Sequence, residues 1–143
     1  MSSAVGRKAY DALGLYLQAG ALFLEGQTAA ATRLIHDGLT LAQEAEEPKT
    51  MALGLGAMAI VVTALGQAEH AARWFGAAEA VLHRAGVDLA EWAADGTVFG
   101  DRYLEAAARA RANLGEAAFA EAVRARVSEN LAKQRDPAER PGD

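Results

Sequence analysis

The stretch from Asp88 to Tyr103 combines carboxylates and aromatic rings more closely than any other part of the sequence. The side chains here that could bind a ligand or take part in catalysis are Asp88, Glu91, Trp92, Asp95, Phe99, Asp101, Arg102 and Tyr103. Aromatic rings can enclose a small molecule, and apolar surroundings raise the pKa of a carboxyl group, which suits a general acid or base. We therefore interpret this stretch as a candidate small-molecule site whose ligand-binding residues are Trp92, Asp95, Phe99, Tyr103 and, from an earlier helix, Trp74.

A purely structural interpretation explains the same stretch. Asp88 and Glu91 have the spacing of a capping box, Asp95 precedes a glycine as in a turn, and the aromatic rings could close one end of a helical domain. If the chain were an enzyme, the catalytic candidates would be Asp95, Glu91, Asp101 and His83. No catalytic triad, phosphate loop or metal signature accompanies them in the sequence, so both interpretations stay open.

The three histidines are His36, His70 and His83, and none has a second histidine one helical turn away. Since the sequence also has no cysteine, we predict no metal site and no cofactor. Glu79 and His83 are one turn apart and could form an acid–base pair, although this spacing is also that of an ordinary surface contact.

An internal repeat predicts the helices that hold these candidate residues. The chain matches itself at an offset of 40 residues. The identical pairs are Ala12/Ala52, Leu13/Leu53, Gly14/Gly54, Leu15/Leu55, Ala19/Ala59, Gly26/Gly66, Gln27/Gln67, Ala31/Ala71 and Arg33/Arg73. A period of this length is typical of a helix-turn-helix unit. The repeat also aligns Trp74 with Leu34, which favours a core position for this tryptophan, and it suggests that Gly14 and Gly54 let neighbouring helices approach closely.

Glycine and proline positions predict helices over residues 7–25, 28–46, 48–65, 68–85, 89–94, 98–113 and 116–134. The predicted fold is all-α, with tetratricopeptide-like antiparallel helix hairpins stacked as a short right-handed array. We expect a single domain over residues 1–135, with repeats at about 7–46 and 48–86 and C-terminal capping helices at about 88–134. Residues 136–143 form a predicted polar tail.

Composition excludes several classes of function. Without cysteine, the chain of 143 residues has no disulfide framework and no thiolate chemistry, which suits a reducing cytoplasm. Its net charge of -5 argues against direct binding of nucleic acid. The uncharged run from Thr50 to Ala68 contains several glycines and is interpreted as a buried helix, so we predict a cytoplasmic protein without a membrane span.

Several runs resemble a family of bacterial proteins. They are residues 66–80 (GQAEHAARWFGAAEA), Tyr103, residues 110–112 and residues 114–120 (LGEAAFA). The runs are similar to the end of the tetratricopeptide-like helical domain of MalT-like, LuxR-type transcriptional regulators. This resemblance implies a regulatory helical domain that keeps one face of residues 76–80 small and plugs its end with Phe119.

The sequence also departs from that family, because it contains neither a phosphate loop nor a DNA-binding helix pair. It is therefore either a fragment or a stand-alone reuse of the repeat module, and the initial methionine and the divergent C-terminal residues favour the latter.

The function that we expect is a non-enzymatic interaction module, which binds a protein or peptide or forms a homodimer through apolar helix faces at its ends. The alternatives are a small-molecule or effector-sensing domain, or an enzyme, with the site near residues 88–103.

Overall fold

The computed structural model describes the backbone of residues 3–93 and 98–135 and the side chains of residues 6–93 and 100–126. This part of the chain is helical and contains no strand, which confirms the all-α prediction. The helices are Ser3–Leu24 (α1), Thr28–Ala45 (α2), Pro48–Ala64 (α3), Ala68–Arg84 (α4), Leu89–Ala93 (α5), Val98–Leu114 (α6) and Glu116–Arg135 (α7). Every predicted helix is present, although α1 begins earlier than residue 7. Asp95 and the predicted tail at 136–143 lie outside the described residues.

Local sequence signals set most of the helix ends. Gly26 follows α1 with a φ of 83°, and its N–H donates to the carbonyl of Phe23 at 3.0 Å. The same left-handed conformation occurs at Gly66, Gly86 and Gly115. Since only glycine adopts this conformation without strain, these residues end their helices where the sequence predicts. Helix α2 ends differently, because Glu46 takes the left-handed conformation there.

Helices α1 and α2 form one hairpin, and α3 and α4 form a second, each joined by a short turn and packed along most of its length. Short turns between closely packed helices require antiparallel directions. The two hairpins meet mainly where α3 packs against α2, and α3 also contacts α1, α4 and α6. This central position explains the uncharged run in α3. No helix in the described part of the chain is both long enough and apolar enough to cross a bilayer.

The C-terminal helices pack in a different way. Helix α7 lies chiefly against α4 and has only limited contact with α6. The approach of α7 to α4 depends on Gly76, since a Cβ atom there would lie 2.9 Å from the carbonyl oxygen of Val123. Gly76, at the start of the predicted small face of residues 76–80, is thus where α7 approaches α4, and Phe119 of α7 is buried against Phe75.

The repeated glycines have unequal surroundings. A Cβ atom at Gly54 would collide with the side chains of Tyr16 and Leu39, so the prediction of close helix approach is correct there. For Gly14 the same prediction is wrong, because nothing lies within 4 Å of a Cβ atom at that position. The difference arises because no described helix packs against that side of α1.

Candidate functional site

Two of the predicted ligand-binding residues, Trp92 and Tyr103, belong to an aromatic cluster between α4, α5, α6 and α7. Its members are Phe75, Trp92, Tyr103 and Phe119. The rings of Trp92 and Tyr103 meet edge to face with centroids 5.2 Å apart, and those of Tyr103 and Phe75 meet in the same way at 5.0 Å. Phe119 completes the cluster at 5.9 Å from Phe75. These are the separations of directly packed aromatic pairs, so the rings fill the space between them.

The short helix α5 positions Trp92. Asp88 caps this helix, because its Oδ1 atom accepts a hydrogen bond of 3.1 Å from the N–H of Glu91, as the capping-box spacing predicted. The carbonyl of Asp88 also accepts a 3.0 Å hydrogen bond from the N–H of Trp92. At the other end of α5, a Cβ atom on Gly100 would collide with the carbonyl of Ala93. Gly100 therefore lets α6 approach α5 and brings Tyr103 to Trp92.

The carboxylates of Glu91 and Asp101 do not face the cluster. Glu91 and Asp101 are exposed to solvent. Phe99 lies in the first turn of α6, but its side chain is outside the described part, as is Asp95 entirely. The acidic group that acts on the cluster is instead Glu79 of α4.

Glu79 is half-buried, and this burial raises the pKa of its carboxyl group, while the nearby charge of His83 partly lowers it. Burial also raises the pKa of the Tyr103 hydroxyl, and the negative charge of Glu79 raises it further. The structure thus groups Glu79, His83, Tyr103 and Trp92. The spacing of Glu79 and His83 was visible in the sequence, but their closeness to Tyr103 depends on how α6 packs on α4.

Trp74 lies apart from the pair formed by Trp92 and Tyr103. It is partly buried, and its ring and that of His36 on α2 are arranged edge to face with centroids 6.4 Å apart. His70 lies at the start of α4, beside a shallow surface depression of about 560 Å³ that is open to solvent. His36, His70 and His83 consequently occupy separate places, and no group of His, Asp or Glu within the described ranges is arranged to hold a metal ion.

A separate cleft lies between α1, α3 and α6, and we call it the α6 cleft. Its volume is about 120 Å³, and its lining residues are Phe23, Ile60, Thr63, Ala64, Arg102, Glu105, Ala106 and Arg109. The four residues from α6 follow the i, i+3, i+4, i+7 spacing of a single helix face. Neither Arg102 nor Arg109 is among the ligand-binding residues predicted from the sequence, because no sequence pattern shows that α6 faces α1 and α3.

The α6 cleft has an apolar floor and a charged rim. Thr63 is buried, and its hydroxyl donates a hydrogen bond of 2.7 Å to the carbonyl of Ala59, so it offers no donor to a ligand. Arg102 and Arg109 are exposed, and neither forms a salt bridge to any side chain that the structure describes. The cleft therefore combines apolar surface with two arginine side chains that have no ion-pair partner within the described part of the chain.

Neither a protein-family model, nor a curated protein, nor a solved structure matches this chain.

Proposed function

We propose that this chain is a non-enzymatic helical-repeat interaction module that binds a peptide segment of a partner protein in the α6 cleft. The cleft itself is the observation that carries the proposal. Its volume of about 120 Å³ is well below the range of about 300 to 1,000 Å³ that small-molecule sites occupy, but it can receive one apolar side chain. An anchoring side chain with polar contacts on either side is the usual arrangement in peptide recognition.

The charges on the rim define the chemistry of the peptide. Arg102 and Arg109 are seven positions apart on α6, which corresponds to about 10 Å along a helix. A peptide in the polyproline II conformation covers this distance in about three residues, which make one full turn, so its side chains at i and i+3 lie on the same side. Because Glu105 lies between the arginines and repels a central carboxylate, the fitting segment has acidic residues at positions i and i+3 and an apolar residue between them.

The proposal extends to the fold type, the biological role and the location of the module. We propose that α1–α2 and α3–α4 are tetratricopeptide-like repeats stacked in a right-handed array and that the module is regulatory and cytoplasmic. The resemblance of residues 66–80 and 114–120 to MalT-like regulators supports this role, and the lack of cysteine suits a reducing compartment.

Effector sensing at the aromatic cluster is the second candidate function. The observation in its favour is Glu79, whose half-buried carboxyl group has a raised pKa and acts on Tyr103. A carboxyl group of this kind can orient a ligand or transfer a proton. Against this function, the four rings of the cluster already pack on one another and leave the ligand little aromatic surface.

Selection from a random peptide library displayed on phage tests the first proposal. We expect enrichment of sequences with acidic residues at i and i+3 around an apolar residue. Fluorescence anisotropy of one enriched, labelled peptide should then show at least tenfold weaker binding to the double variant Arg102→Glu/Arg109→Glu.

The matched control is Arg33→Glu/Arg73→Glu, which changes the net charge equally at two exposed positions on α2 and α4. This control should bind the peptide within about twofold of the parent protein. No enrichment, or equal loss of binding in both double variants, would refute the proposal.

A further inference from the structure

One face of α1 carries an exposed apolar row that the peptide cleft does not use. We call it the α1 seam, and its residues are Gly6, Tyr10, Leu13, Leu17, Gly20 and Leu24. Tyr10, Leu17 and Leu24 remain 78%, 77% and 68% exposed. Nothing lies within 4 Å of a Cβ atom on Gly6 or Gly20, so there is open space above both glycines.

The spacing of the seam is that of a helix that pairs with another helix. Its successive residues are separated by alternating steps of four and three positions, which is the heptad period of a coiled coil. On the opposite side of α1, Ala12 and Ala19 are fully buried against the rest of the protein. The helix therefore has two packing faces, and only one of them is covered by the described chain.

The internal repeat shows what the uncovered side of α1 lacks. Thr50 and Val61 of α3 are buried, whereas the equivalent residues of α1, Tyr10 and Ala21, are exposed. The preceding hairpin covers α3 on the side where α1 is open. Of the other α3 residues equivalent to the seam, Leu53, Ala57 and Ile60 are partly buried and Ala64 is exposed, so the corresponding face of α3 is covered over most of its length.

We infer that the occupant of the α1 seam is the seam of a second copy of this chain, paired antiparallel about a two-fold axis at Leu17. In this arrangement Leu17 meets its own counterpart, and Tyr10 of each copy meets Leu24 of the other. The pairing is self-complementary, as a two-fold interface requires.

Charge selects the antiparallel direction. Arg7 and Glu25 lie at opposite ends of α1, about 27 Å apart. They lie on the same side of the seam because the 18 positions between them correspond to about five full turns of the helix. Antiparallel pairing brings the same flanks of two helices together, so Arg7 of each copy lies beside Glu25 of the other. Parallel pairing leaves these charges at opposite ends of the dimer. Between them, Gly14 and Ala21 keep the flank small enough for close approach.

This inference is independent of the peptide-binding proposal, because the α6 cleft contains Phe23 of α1 but no residue of the seam. Sedimentation equilibrium tests the association. We expect a dimer for the parent protein and at least a hundredfold weaker dimerisation for Leu17→Glu, which places two like charges at the axis. The control Leu65→Glu changes a leucine that is 54% exposed outside the seam and should leave the dimer intact.

Disulfide cross-linking tests the direction, since the sequence contains no cysteine. Leu17→Cys should cross-link to itself, whereas Tyr10→Cys should cross-link only when it is mixed with Leu24→Cys. A monomeric parent protein at high micromolar concentration would overturn the inference. A dimer that Leu17→Glu does not weaken, or self-cross-linking of Tyr10→Cys, would also overturn it.

Discussion

The phenol ring of Tyr16 on α1 lies directly over the backbone of Gly54 on α3, where a methyl group would collide with the tyrosine hydroxyl. The same ring covers Gly38 on α2, and a Cβ atom there would lie 2.5 Å from the ring carbon Cε1. Tyr16 thus joins the first three helices through two glycines. Stacking of the second hairpin on the first depends on these contacts, which lead to the first two predictions.

Gly54→Ala should destabilise the protein by about 1 to 3 kcal/mol, because the added methyl group overfills the space beneath Tyr16 and Leu39. The repeat provides the control: Gly14→Ala has open space and should stabilise α1 by about 0.5 to 1 kcal/mol. Urea denaturation in the Leu17→Glu background, which removes any contribution from association, measures both. Similar losses from both substitutions would contradict the packing of Tyr16 on Gly54.

Tyr16→Phe should leave the stability unchanged or raise it by up to about 1 kcal/mol. The Tyr16 hydroxyl is buried and has no hydrogen-bond partner within the described part of the chain. Its removal therefore also removes the free-energy cost of burying a hydroxyl without a hydrogen bond. Tyr16→Ala, which removes the ring as well, should cost about 3 kcal/mol. Thermal and urea denaturation distinguish the two variants, and a large loss from Tyr16→Phe would show that the hydroxyl itself is bonded.

Trp92→Ala should destabilise the protein by about 3 kcal/mol, because it removes the ring that packs on the buried Tyr103. Circular dichroism during heating gives the shift in Tm. A Trp92→Ala protein with unchanged stability would favour a ligand-binding role for this tryptophan instead.

The pH dependence of stability should contain a contribution from Glu79. Burial raises its pKa in the folded protein above the ordinary value of 4.5, so the folded state holds this proton more tightly than the unfolded state does. The resulting stabilisation is present below the ordinary pKa and is lost as the pH rises through the higher folded-state pKa.

Glu79→Gln, which stays neutral, should therefore have a higher Tm than the parent protein at pH 7. The advantage should disappear below about pH 4, where both states of the parent are protonated at this residue. Because Glu79 is only half-buried, solvent screening keeps the effect small. Glu69→Gln changes an exposed carboxyl group on the same helix and serves as the control. An equal pH profile in Glu79→Gln and the parent would contradict the raised pKa.

The sequence predicted the features that local signals control. Gly26, Gly66 and Gly86 ended helices as predicted because the left-handed backbone is a property of the residue itself. Asp88 capped α5 for the same reason, since the hydrogen bond joins residues three positions apart.

The candidate sites depended on contacts between distant segments and were less visible. The contact of Gly100 with Ala93 and the closeness of Glu79 to Tyr103 both depend on the angle at which α6 packs on α4 and α5. The hydrophobic pattern of α1 also gave no sign of which face would remain exposed, because the helix is apolar on both sides. The α1 seam differs from the core only because no helix among the described residues covers it.

Amide chemical-shift mapping of the ¹⁵N-labelled protein tests the proposed function most directly. The probe is a peptide enriched in the library selection, titrated to saturation. We predict that the largest shifts occur at Phe23, Ile60 and residues 102–109, while the indole N–H signal of Trp92 stays in place. Largest shifts at Trp92 and Tyr103, with the α6 cleft unaffected, would contradict the proposal and would place the binding site in the aromatic cluster.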